Sequence, residues 1–106
     1  MKILFVCSRN QWRSSTAENI YKKYDNLQVR SAGTEPSARV KLTAKNIIWA
    51  DIIFAMEKRH RLRMQEKFPI ETQQKKIIIL DIEDEYKFMD EEFISEIESK
   101  VNHYLL

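Results

Sequence analysis

The stretch KILFVCSRNQWRSSTAE, residues 2–18, decides how this chain is read. After Lys2 it runs apolar without alternation, the pattern of a short strand covered on both faces. The run stops at Cys7, the only cysteine among 106 residues. Polar and bulky residues follow as far as Arg13. Ala17, Ile20, Tyr21 and Tyr24 then fall at i, i+3, i+4 and i+7, one apolar stripe of a helix. Ser15 and Glu18 have the spacing of a capping box and predict the helix start there. The segment is therefore a strand, a turn and a helix, with a thiol where the strand ends.

Working outward, three more apolar runs predict strands: LQVRSAG (27–33), DIIFAM (51–56) and KIIILD (76–81). Helical segments are predicted between and after them. One runs from Thr43 to Trp49. A second, over 57–67, rests on good helix formers. The last keeps Phe93, Ile94, Ile97, Val101, Tyr104 and Leu105 on one face. Alternation of this kind predicts an α/β fold: a single small domain over residues 1–106, with a four-stranded parallel sheet flanked by helices. Such sheets bind ligands beyond the carboxyl ends of their strands. Cys7 and the segment DIEDEY (81–86) both fall at that edge.

Hydrophobic residues make up 43% of the chain and charged residues 32%, the balance of an ordinary soluble domain. No apolar run approaches the roughly 18 residues of a membrane span, and the short run after Lys2 does not read as a signal peptide. A lone cysteine fits a reducing, cytoplasmic setting. The net charge of +2 is too small to imply a nucleic-acid partner, although it does not exclude one. Charge is unevenly spread: EKRHRLRMQEK (57–67) is basic and DIEDEYKFMDEEFISEIE (81–98) is acidic. Two solvated helix faces account for that, and so does a field that draws anions to one side and offers a proton donor on the other.

A strand-to-helix turn gathers backbone N–H groups into a concave nest, and the positive end of the helix adds to it. A cysteine at that position is attractive as a nucleophile because the thiolate is the reactive form. Arg13 offers a planar fork that matches two phosphate oxygens. Cys-x5-Arg alone is a weak pattern; its place between an apolar strand and a helix makes it informative.

The stretch VCSRNQWRSSTAE resembles the phosphate-binding loop of the low-molecular-weight protein tyrosine phosphatases, C-x-G-N-x-C-R-S-P. The resemblance continues in the same order through SAGT (31–34), ARVKLT (38–43), ADIIFAMEKRH (50–60) and DIEDEY (81–86). It implies a metal-independent and cofactor-free hydrolase that cleaves phosphotyrosine or a similar phosphate monoester through a phosphocysteine intermediate. Its substrate partner would be a phosphorylated protein or a small phosphate monoester, with no membrane involved. Residue by residue, it implies Cys7 as nucleophile, Arg13 as clamp on the equatorial oxygens and Asp84 as general acid. Ser8, Arg9, Asn10, Gln11, Trp12, Arg13 and Ser14 would form the phosphate loop. Ser14 would donate to the thiolate, and Asn10 would hold the loop's shape. Trp12 and Tyr86 would line the substrate site. Asp81, three residues before Asp84, remains a second candidate for the acid. His60 and His103 are isolated, and structural or surface roles suit them.

Several departures from the family pattern bear on these expectations. Arg9 replaces the loop glycine, so either the loop takes another path or Arg9 bears strain at the rim. Trp12 replaces the second loop cysteine, Ser15 and Glu85 replace prolines, and the segment between SAGT and ARVKLT is nearly absent. Arsenate reduction needs further cysteines, which the chain lacks. A sugar-transport phosphocarrier needs neither Arg13 nor an acid. Two alternatives remain: a phosphatase for nucleotides, nucleic-acid ends or sugars, and an inactive phosphate- or phosphopeptide-binding module.

Overall fold

A computed structural model describes residues 1–105. The elements follow in the order β1 (Lys2–Cys7), α1 (Arg13–Tyr21), β2 (Gln28–Gly33), α2 (Ala44–Trp49), β3 (Ile52–Ala55), α3 (Lys58–Lys67), α4 (Pro69–Thr72), β4 (Lys76–Ile79) and α5 (Glu91–Leu105). The four strands form one parallel sheet in the order β2-β1-β3-β4. All four strands and the four predicted helices, α1, α2, α3 and α5, lie in the segments the sequence assigns to them, and the short α4, opened by Pro69, is an addition.

The central strand explains why its apolar run does not alternate. Ile3, Phe5 and Cys7 face one layer, with Ala17 and Tyr21 of α1 and Phe93, Ile97 and Val101 of α5. Leu4 and Val6 face the other, with Ile47 of α2 and Met64 of α3. Both parities of β1 are thus covered, and each buried side chain contributes roughly 1.5–3 kcal/mol. Tyr104 does not share the buried face of α5; only Phe93, Ile97, Val101 and Leu105 do.

Helix α1 begins earlier than its capping-box spacing implies. Trp12 is its N-cap and makes no side-chain capping bond, so Ser15 lies inside the first turns and is buried. Glu18 accepts a hydrogen bond from the Ser31 hydroxyl on β2, which ties the helix to the sheet instead of closing its end. By contrast, α2 starts as the sequence implies: the Thr43 side chain accepts from the Asn46 N–H at 3.2 Å.

The connection from β2 to α2 is short and lies against the loop that follows β1. Thr34 N–H donates to Cys7 O at 2.9 Å, Glu35 N–H to Ser8 O at 2.9 Å, and Arg39 N–H to Arg9 O at 2.9 Å. Gly33, the only glycine of the chain, permits this approach. A Cβ there would stand 2.5 Å from Ser8 O and 2.6 Å from Ala38 Cβ.

Candidate active site

Beyond the carboxyl ends of the strands lies a cleft of about 300 Å³, lined by residues that follow all four strands. The last residue of β1 and the segment after it supply Cys7, Ser8, Arg9, Gln11, Trp12 and Arg13; Glu35 comes after β2, Arg59 after β3 and Asp84 after β4. This is the position where a sheet ordered 2-1-3-4 leaves a crevice beside its first strand.

The loop from Ser8 to Trp12 turns on Asn10, whose φ is 58°. Left-handed backbone suits an asparagine far better than an arginine. Arg9 is not a positive-φ residue and carries no such strain; it replaces the family glycine without inheriting a left-handed position. Its side chain is exposed and pairs with Glu35 at 3.5 Å.

Cys7 is 3% exposed, at the base of the loop. Asn10 N–H donates to its Sγ at 3.2 Å, and Ser14 Oγ lies 2.9 Å from the same sulfur. Asn10 is itself fully buried, and its Nδ2 donates to Ser14 Oγ at 2.7 Å. The first bonded amide of α1 is Thr16, which donates to Trp12 O, so the amides of the first turn are free of intrahelical acceptors.

Arg13 opens α1 and is 2% exposed. Its Nη1 donates to Glu57 Oε2 at 2.5 Å and to Ile82 O at 2.8 Å, while Nε stands 3.7 Å from Asp84 Oδ1. One nitrogen is therefore anchored to the segments after β3 and β4, and the remaining edge of the guanidinium lines the cleft. Burial pushes Glu57 up, but hydrogen bonds and charge from Arg13 and Arg59 outweigh it and hold the carboxyl below its ordinary range.

Beneath the loop, His60 of α3 is buried. Glu57 N–H donates to its Nδ1 at 3.0 Å, so Nδ1 is unprotonated and Nε2 carries the proton, which it donates to Ser8 Oγ at 2.9 Å. Burial first, then the charges of Arg13 and Arg59, hold the ring neutral and bring its pKa down to about 3.

The structure brings together every proposed loop residue, and Asp84 lines the same cleft beside Arg13. Asp84 lines the cleft; Asp81 does not, and its carbonyl accepts from Lys100 on α5 at 3.4 Å. Trp12 stands at the rim, 43% exposed. Tyr86 is elsewhere, which corrects its expected place against the substrate. Its hydroxyl donates to Glu96 at 3.0 Å and its ring packs on Phe93, so α5 holds it out of the cleft. Its hydroxyl pKa is pushed up to about 12, chiefly by the hydrogen bond to Glu96.

Glu57 and Glu35 are site residues that the sequence patterns did not single out. The MEKRH segment held the only signal for Glu57, its place one residue past the carboxyl end of an apolar strand. Glu35 had none beyond the turn itself. Among the described residues no group of three or more His, Cys, Asp or Glu side chains could hold a metal ion, and no helix is long and apolar enough to cross a membrane.

A family model described as low molecular weight phosphotyrosine protein phosphatase matches residues 2–49. No curated protein sequence matches the chain. Among solved structures, a YwlE arginine phosphatase, a Cys-to-Ser mutant with a phosphorylated active-site serine, is 26% identical. That match covers 76% of this chain and 69% of the other, with a TM-score of 0.65. Wzb of Vibrio vulnificus, solved in complex with benzylphosphonate, is 23% identical over 97% of this chain and 95% of its own, with a TM-score of 0.77. An arginine phosphatase of Drosophila, DARP, is 24% identical over 100% and 99%, with a TM-score of 0.71. The match over residues 2–49, which carry the Cys7–Arg13 loop, and the sheet and helices shared with these structures support membership of this chain in the low-molecular-weight phosphotyrosine protein phosphatase family.

Proposed function

We propose that the protein is a cysteine-dependent phosphatase that hydrolyses phosphotyrosine or a similar phosphate monoester. One observation carries this reading: Cys7 lies at the base of a cleft whose walls are Arg13 and Asp84. A phosphate seated over Cys7 would meet the first-turn amides of α1 and the free edge of Arg13. The sulfur attacks phosphorus as the ester oxygen leaves, and Asp84 supplies the proton that oxygen takes up. Charge spreading over the equatorial oxygens is met by Arg13 and the loop amides. Water then attacks the phosphocysteine, giving its proton to Asp84, and the thiolate departs with phosphate released.

The two carboxylates that line the cleft, Glu35 and Asp84, favour a second reading in which the phosphate sits on a guanidinium. Two of the similar structures are described as arginine phosphatases. Side-by-side turnover of an aryl phosphate and of phosphoarginine separates the two. Release of phosphate from neither, with vanadate still bound, replaces both with a phosphate-binding module.

A further inference from the structure

Arg39 stands behind the phosphate loop, outside the cleft, and hydrogen-bonds to it through both its side chain and its backbone. Its Nε donates to Asn10 O at 3.0 Å, and its Nη2 donates to Asn10 Oδ1 at 3.0 Å and, less closely, to Ser15 Oγ at 3.4 Å. Its own N–H also donates to Arg9 O. The planar fork thus grips both carbonyl oxygens of one residue, the buried, left-handed Asn10.

A guanidinium only donates, and this decides more than position. An asparagine side chain facing Arg39 must present Oδ1 to it, which turns Nδ2 toward Ser14. Ser14 Oγ then accepts from Nδ2 at 2.7 Å. With that lone pair engaged, the hydroxyl proton points to the remaining neighbour, Cys7 Sγ at 2.9 Å. We propose that Arg39 is a positioning residue that fixes the direction of the Asn10–Ser14–Cys7 hydrogen-bond chain, so that Ser14 donates to the sulfur. Arg39 touches neither the sulfur nor the cleft; it acts through Asn10. The inference rests on the phosphatase reading for its purpose, but not for its test.

The test is the alkylation rate of Cys7 by iodoacetamide at fixed, mildly acidic pH, on the whole chain, for native protein, Arg39→Ala and Arg39→Lys. Loss of the directed hydroxyl leaves the sulfur without its side-chain donor and slows alkylation, by about tenfold in Arg39→Ala and less in Arg39→Lys, which keeps the charge but not the fork. Added guanidinium ion restores the rate of Arg39→Ala, since the side chain lies at an exposed position. A role only in folding has the opposite sign, because loosening the structure exposes a thiol now 3% accessible and speeds alkylation. A native or faster rate in Arg39→Ala, or no recovery with guanidinium, overturns the proposal. Should Arg39→Ala not fold, Arg39→Lys carries the test: slowed alkylation supports the role, and a native or faster rate overturns it. Alkylation reads the sulfur whether or not the protein turns over, so an inactive native protein would defeat the phosphatase reading and leave this result standing.

Discussion

His60 and Ser8, 52 residues apart in sequence, meet with Nε2 and Oγ 2.9 Å apart, and the neutral imidazole is the form that fits. Both ring nitrogens are engaged, one as acceptor from Glu57 N–H and one as donor to Ser8, so a second proton has no place to go. The unfolded chain takes up that proton near pH 6.5, whereas the folded chain resists until about 3. The contribution is thus complete above pH 6.5 and is lost as pH falls, with a slope approaching 1.4 kcal/mol per unit. Urea unfolding between pH 7.5 and 5 should show this loss in the native protein. His60→Gln should be less stable at pH 7.5 but flatter with pH.

Glu57 is the charged partner of a buried arginine. Removing it in Glu57→Ala leaves Arg13 with the Ile82 carbonyl and the more distant Asp84. The cost should fall below the roughly 3–5 kcal/mol of a fully buried broken pair, because Glu57 is partly exposed. Vanadate affinity should fall as well, since the guanidinium loses its anchor. Glu57→Gln, which keeps an acceptor, should lose less on both counts. Equal losses in the two variants would remove charge pairing as the cause.

Gly33→Ala should harm the loop from below. Its Cβ meets backbone at Ser8 O and Arg9 C, 2.5 and 2.9 Å away, which no rotamer change relieves. Overpacking of this kind costs about 1–3 kcal/mol. Thermal unfolding and phosphate binding should both suffer. A variant with unchanged vanadate affinity would show that the loop tolerates the shift.

With one cysteine, the chain has no second thiol to trap an oxidised Cys7. Peroxide should inactivate it progressively, bound phosphate should protect it, and recovery should require an added thiol while oxidation stops at the sulfenic stage. Recovery without added thiol would point to another route of repair.

The sheet was legible because parallel strands covered on both faces leave continuous apolar runs, as in residues 3–7 and 77–80. That Cys7, Arg13 and Asp84 share one cleft was legible because a strand-to-helix turn and a family pattern coincide. What stayed hidden depends on contacts between distant segments. Glu57 and His60 look like members of a basic helix until β3 sets them beside β1. Arg39 has no role in the sequence beyond its place in ARVKLT until the short crossover carries it behind Asn10. Tyr86 misled because an aromatic that packs on a helix and one that lines a cleft have the same one-letter signature. Ser15 and Glu18 misled because cap spacing recurs inside helices, and here Ser31 claims the glutamate.

The most direct test of the account is hydrolysis of an aryl phosphate at mildly acidic pH by the native protein, Cys7→Ser and Asp84→Asn. The native protein should turn over, Cys7→Ser should not, and Asp84→Asn should be slowed by about 10²–10⁴-fold. Turnover that survives in Cys7→Ser, or that is absent from a native protein still able to bind vanadate, would contradict it.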